Sequence, residues 1–209
     1  MPLDPLLREL PVVAILRGIV PDRALEVGEV LHGSGIRAIE VPLNSPDPFD
    51  SIARLAANFG DSCLCGAGTV LRPGDVDRVH RAGGRLVVAP NTDREVIARA
   101  LQHRLIAMPG FATATEAFAA IAAGAECLKL FPASSYGPGH LRALKAVLPS
   151  EVDVFAVGGV GADQVGEWSN AGAFGFAFGS ELFKPEYSTE EIAERARRLV
   201  SAVRKIARP

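Results

Sequence analysis

The chain has four lysines against eighteen arginines, and one of the four, Lys129, stands inside the apolar run CLKLFPAS (residues 127–134). A buried ammonium is costly unless it is paired or neutralised. Desolvation lowers a lysine's pKa, and the resulting neutral amine can attack a carbonyl to form a Schiff base. The iminium is then an electron sink for making or breaking a neighbouring C–C bond. Such a reaction needs a proton shuttle, and Glu40, the one charge inside the run AIEVPLN, is the nearest candidate. A positioned carboxylate contributes ~10²–10⁴-fold as general acid or base. The competing reading of the two residues is a buried ion pair without chemistry, since such pairs also perturb pKa values.

Eight short apolar runs organise the sequence, beginning at Val12, Ala38, Cys63, Leu86, Leu105, Cys127, Val152 and Ala173. Each is bounded by Gly, Pro or Asn, and their near-continuous hydrophobicity suits parallel strands covered on both faces. Amphipathic stretches lie between them. Thr92 is a candidate N-cap for one, Thr113 and Glu116 form a capping-box pattern for another, and the last runs from acidic to basic residues as a helix dipole favours. Alternation of this kind, eight times over, predicts a (β/α)8 TIM barrel with right-handed crossovers, a single domain over residues 1–209. An open doubly wound sheet is the alternative; the first strand is not followed by its GxGxxG fingerprint.

Chemistry in such a barrel collects at the C-terminal ends of the strands. Unusual residues fall there: Arg17, Asn44 beyond Glu40, Thr69, Pro90, Gly110, Gly158–Gly159 and Gly179–Ser180. Side chains alternate along a strand, so Lys129 shares a face with Cys127 and Phe131, and Glu40 with Ala38 and Pro42. Phe174, Phe176 and Phe178 alternate with Gly175, Ala177 and Gly179, and the bare face is expected to point inward, leaving room for a ligand, with ordinary layer packing as the alternative. The loops after the last two strands are a common phosphate site in this fold, which gives Gly158, Gly159, Gly179 and Ser180 a role. Arg17 is placed to fork onto a carboxylate or phosphate, or else to form a rim salt bridge.

Composition narrows the partners. The chain is 48% apolar with a formal charge of −2, and no basic block or basic-aromatic cluster marks a nucleic-acid surface. The N-terminal residues lack the apolar core of a signal peptide, and no apolar run approaches the ~18 residues of a membrane span. Cys63, Cys65 and Cys127 are too few for a disulfide framework and read as buried thiols in a reducing cytoplasm. His32, His80, His103 and His140 fall on helical stretches without metal-ligand spacing, so no metal is expected.

The segments AILRGI, IEVPLNSP, GAGTVL, APN, PGFATATEA, LKLFPAS, HLRALKAVLPS and FAVGGV together resemble the class I aldolases of 2-keto-3-deoxy-6-phospho sugar acids, the KDPG and KDPGal aldolases. The resemblance spans nearly the whole chain. It implies a homotrimer that uses no metal or cofactor, with Lys129 as Schiff-base lysine and Glu40 as general acid/base. Arg17 and Thr69 would hold the pyruvate carboxylate, Pro90 and Phe131 line the pocket, and Gly158, Gly159 and Ser180 bind the phosphate. The implied reaction is reversible cleavage of a phosphorylated keto-deoxy sugar acid to pyruvate and D-glyceraldehyde 3-phosphate. Where the gluconate branch has EVTLRT and PTGGI, this chain has Asn44 in place of the arginine and Val157 in place of the threonine. That pattern is similar to the galactonate branch. The gluconate epimer, or the unphosphorylated 4-hydroxy-2-oxoglutarate, is the alternative within the family. A non-catalytic phosphate-binding barrel is the alternative outside it. A phosphate-binding isomerase would not need an imine-forming lysine.

Overall fold

Nine strands form one all-parallel sheet in a computed structural model that describes residues 3–206. They are β1 (Val12–Ile15), β2 (Ala38–Pro42), β3 (Leu64–Gly68), β4 (Leu86–Val88), β5 (Ile106–Met108), β6 (Gly110–Phe111), β7 (Cys127–Leu130), β8 (Asp153–Val157) and β9 (Gly175–Phe178). Their order, β5-β4-β3-β2-β1-β9-β8-β7-β6, begins and ends on two pieces of the same chain segment. Pro109 separates the pieces: it has no N–H to donate and breaks the ladder. Its carbonyl still accepts from the Lys129 N–H at 2.9 Å, so the ring closes through this broken fifth strand. The eight expected runs therefore all become strands of a (β/α)8 barrel, the fifth as two short ones.

The helices are α1 (Pro5–Glu9), α2 (Pro21–Gly33), α3 (Pro48–Phe59), α4 (Pro73–Arg81), α5 (Arg94–Gln102), α6 (Ala114–Ala122), α7 (Ala133–Tyr136), α8 (Pro138–Lys145), α9 (Val165–Asn170) and α10 (Thr189–Arg204). Thr113 and Glu116 form the expected capping box on α6. On α5 the cap is Asp93, whose carboxylate accepts from the N–H groups of Glu95 and Val96; Thr92 instead donates its hydroxyl to the Gly110 carbonyl at 2.9 Å. Helix α1 has no counterpart in the sequence reading, because five residues carry too little periodicity to register. Its Leu7, with Leu3, packs into the barrel interior and closes the N-terminal end.

Alternation sorts the strand residues into two cores. Val12, Ala14, Ile39, Val41, Leu128, Leu130, Phe176 and Phe178 face the helices. Val13, Ile15, Ala38, Leu64, Leu86, Val88, Met108, Cys127, Phe155, Val157 and Ala177 fill the barrel. The bare face of β9 is thus inward, as expected, but most of its space is used for packing. The Phe155 ring occupies the room above Gly175, and Phe174, ahead of the strand, meets Phe155 edge-on at 5.8 Å. Only Gly179 at the rim has open space beside it: a Cβ there would approach nothing nearer than Ile15 at 3.9 Å. Among the described residues, no helix is long and apolar enough to cross a membrane.

Candidate active site

Lys129 enters the barrel on β7, opposite Gly110 on one side and Phe155 on the other. It is 5% exposed. Cys127 below it and Phe131 above it share its face, and Phe131 places its ring centroid 4.6 Å from the Lys129 Nζ. A protonated amine there gains a cation–π contact, and a neutral one rests on an apolar wall. Burial is the larger influence and pulls the lysine pKa down; the charge of Glu40 opposes this and that of Arg17 adds to it.

Glu40 comes from β2, level with Ile15 of β1 and Gly66 of β3, and is 2% exposed. Its carboxylate fits only because residue 68 is glycine: a Cβ at Gly68 would overlap both carboxylate oxygens. Oε2 is buried with no hydrogen-bond partner among the described residues. Burial raises the carboxyl pKa from 4.5 to about 7, against the pull of Lys129 and Arg17. Near neutrality the pair thus offers an amine biased towards its neutral form and a carboxyl poised to give or take a proton. Among the described residues no direct ion pair joins them; they are coupled through the interior field. This differs from the tight buried salt bridge of the non-catalytic reading.

Arg17, at the end of β1, is exposed, and its Nη1 donates to Asn44 Oδ1 at 2.7 Å. Asn44 Oδ1 therefore orients the guanidinium. An arginine at position 44 could not accept this bond. The neighbouring Ser45, 7% exposed, accepts from the Gly18 N–H at 2.9 Å and locks the β1 and β2 loops together. Sequence reasoning missed Ser45, and its place inside a run of loop residues offered no signal. Thr69 is half-buried at the end of β3 with φ +56°. A β-branched residue in the left-handed region is strained, and such strain gathers at functional sites. Pro90, half-buried after β4, has its carbonyl where a Cβ on Gly110 would lie.

The turns after β8 and β9 make the opposite corner of the rim. Gly158 and Gly159 have φ +95° and +72°, where a side chain is disfavoured. The N–H groups of Gly159 and Ser180 make no hydrogen bond among the described residues. Val157 faces inward and is 1% exposed. The rim so gathers all twelve residues that the sequence pointed to: Lys129 and Glu40 in the mouth, Arg17, Asn44, Thr69 and Pro90 on one side, Phe131, Val157, Gly158, Gly159, Gly179 and Ser180 on the other.

The histidines lie elsewhere. His103 caps the end of α5 and its Nε2 sits 2.6 Å from Asp77 Oδ1, while His140 on α8 reaches the Ala112 carbonyl. Among the described residues no three His, Cys, Asp or Glu side chains group as metal ligands. Two clefts away from the barrel mouth, of about 610 and 500 Å³, lie beside α10 and under the N-terminal end of the barrel. Neither is lined by Lys129 or Glu40, and the first is a shallow groove with an exposed Asp163–Arg198 pair.

The family model for KDPG and KHG aldolases matches residues 3–198. A curated protein of Escherichia coli (strain K12), 2-dehydro-3-deoxy-6-phosphogalactonate aldolase, is 49% identical over 94% of this chain and 96% of its own length. A solved structure described as "Native KDPGal structure" superposes with a TM-score of 0.94 at 46% identity, covering 98% of each chain. Another, a porous protein cage designed by fusing symmetric oligomeric domains, superposes with a TM-score of 0.93 at 48% identity over 94% of this chain and 73% of its own.

Proposed function

We propose that this chain, which belongs to the KDPG and KHG aldolase family, cleaves 2-dehydro-3-deoxy-6-phosphogalactonate reversibly to pyruvate and D-glyceraldehyde 3-phosphate. The observation that carries the mechanism is the buried Lys129 amine and the buried Glu40 carboxyl in one barrel mouth, each shifted towards its neutral form. The amine attacks the C2 carbonyl, and loss of water leaves an iminium. Glu40, as carboxylate, takes the proton of the C4 hydroxyl. The C3–C4 bond breaks, its electron pair moves into the iminium as an enamine, and C4 leaves as the aldehyde. Glu40 returns the proton to C3, and water releases pyruvate and the free amine. Arg17, oriented by Asn44, and Thr69 hold the carboxylate of the pyruvate half. Phe131 and Pro90 wall the site, and Gly158, Gly159, Gly179 and Ser180 receive the phosphate end. One domain does all of this, and neither metal nor cofactor enters a step.

The choice of epimer rests on C4, where the galactonate and gluconate substrates differ. Val157 presents a methyl group where the gluconate branch has a hydroxyl, which removes one hydrogen-bond partner and shifts discrimination by about 1–3 kcal/mol. Comparing kcat/KM for the two epimers and for 4-hydroxy-2-oxoglutarate tests this. The galactonate compound is expected to lead, and a clear preference for either of the others overturns the assignment.

We further read the enzyme as a cytoplasmic homotrimer. The similarity to a structure assembled from symmetric oligomeric domains and three free, buried cysteines support this reading. Native mass measured on the cytoplasmic fraction checks both parts. Three times the 22.0 kDa chain is expected, and a monomer's mass, or absence from that fraction, counts against the corresponding part.

A further inference from the structure

We infer that Ser134 binds the phosphate of the substrate, a role that rests on the aldolase reading. Ser134 is the second residue of α7, four residues beyond the strand that carries Lys129, and is exposed at the rim. Its N–H donates to the Gly158 carbonyl at 3.0 Å, tying the turn after β7 to the diglycine turn after β8. Its side chain stands over Gly159: a Cβ built there would lie 2.7 Å from both Cβ and Oγ of Ser134. Glycine at 159 thus does two things. It accepts φ +72°, and it leaves the volume in which the serine hydroxyl sits beside the Gly159 backbone.

That hydroxyl makes no hydrogen bond within the protein among the described residues, and neither does the Gly159 N–H. On the far side of the turn, β9 pairs with β8, Val157 lying opposite Ala177, and the free N–H of Ser180 follows two residues past the end of β9. Two unused donors therefore meet at one glycine, the Ser134 hydroxyl from the β7 side and the N–H of Gly159 itself, and the free N–H of Ser180 is offered by the turn after the neighbouring strand β9. Converging uncompensated donors suit an oxyanion with several acceptor oxygens.

Depth decides which part of the substrate they meet. Lys129 is level with Phe155 on β8, Val157 lies above, and Gly159 is further still towards the rim. A substrate joined to Lys129 through C2 passes Val157 near C4 and reaches Gly159 with its phosphorylated end. Ser134 is therefore a phosphate ligand and not a reader of the C4 hydroxyl.

Ser134→Ala and Ser134→Asp test this, assayed with the 6-phosphorylated acid and with its unphosphorylated counterpart, alongside borohydride trapping of pyruvate. The alanine variant is expected to raise KM for the phosphorylated substrate roughly tenfold, as for a lost hydrogen bond to a charged group, with kcat nearly unchanged. The aspartate variant is expected to raise it further through charge repulsion. KM for the unphosphorylated compound and the yield of trapped pyruvate should not change with alanine. An unchanged KM, or an equal rise for both compounds, overturns the phosphate role while leaving the aldolase reading intact. Failure of the wild-type enzyme to trap pyruvate overturns the aldolase reading, and the phosphate role with it.

Discussion

Lys129→Met is expected to abolish turnover and pyruvate trapping while leaving a protein at least as stable as the wild type. Without the amine no iminium forms, and the C3–C4 bond has no electron sink, so kcat should fall by roughly 10⁴-fold or more. Stability moves the other way. Met matches the lysine stem in volume, and exchanging a buried charge for a well-packed apolar group is commonly neutral or stabilising. The pH dependence gives a separate readout. Burial lowers the folded-state pKa of Lys129, so the unfolded chain binds a proton that the folded one has released between that value and 10.5. Wild-type stability due to this group therefore rises with pH through that window. The advantage of the Met variant should be greatest below the folded-state pKa of Lys129 and should fade as pH approaches 10.5. Urea titrations of both proteins at several pH values measure this. A Met variant that retains turnover rules out Lys129 as the nucleophile, and one that fails to fold shows that the lysine holds the barrel together.

Glu40→Gln is expected to lower kcat by roughly 10²–10⁴-fold and to leave pyruvate trapping largely intact, because imine formation uses the amine and C–C cleavage uses the carboxylate. The isosteric amide still fits against Gly68, so the loss would be chemical rather than steric. A stability gain should accompany it. The folded carboxyl keeps its proton up to about 7, whereas the unfolded one loses it near 4.5. The folded wild type thus holds more protons in that interval, and its stability declines as pH rises from 4.5 through 7, by about 3 kcal/mol in all. The Gln variant has no such slope. Its advantage should be absent near pH 4, grow through pH 5–7 and level off above. A gain constant in pH would mean that Glu40 is not buried in its neutral form. The kcat/KM profile of the wild type should carry a limb near pH 7 that the variant lacks.

The stability that these two groups give up marks the site as one kept for chemistry. A buried carboxyl with an unpartnered Oε2, held against a glycine and near a desolvated amine, opposes folding on its own. The strained backbone of Thr69 on the same rim points the same way.

Much of this is legible in the sequence. Lys129 and Glu40 are conspicuous because each is a charge inside an apolar strand, and hydrophobic periodicity is the most direct trace that burial leaves on a chain. The eight runs foretell the strands, and the period of two foretells which side chains enter the barrel. The faces of CLKLF and AIEVP follow without coordinates. The loops yield less. Asn44 reads as a rim residue, but its bond to Arg17, 27 residues away, is not encoded locally. Thr92 reads as a cap, whereas Asp93 caps and Thr92 bonds Gly110. Ser45 and Ser134 leave no mark. A hydroxyl or amide in a loop finds partners distant in the chain, and nothing in local periodicity encodes them.

The sequence by itself thus determined the barrel, the inward direction of Lys129 and Glu40, and the rim on which the polar residues gather, because these follow from strand alternation and from the cost of burying charge. Only the tertiary structure decided that the two groups stay apart rather than pair, that Gly68 makes room for the carboxylate, that Pro109 splits the fifth strand, and that Ser134 stands over Gly159. Those are distances between segments that meet only when the ring closes, and closure is a property of all eight strands together.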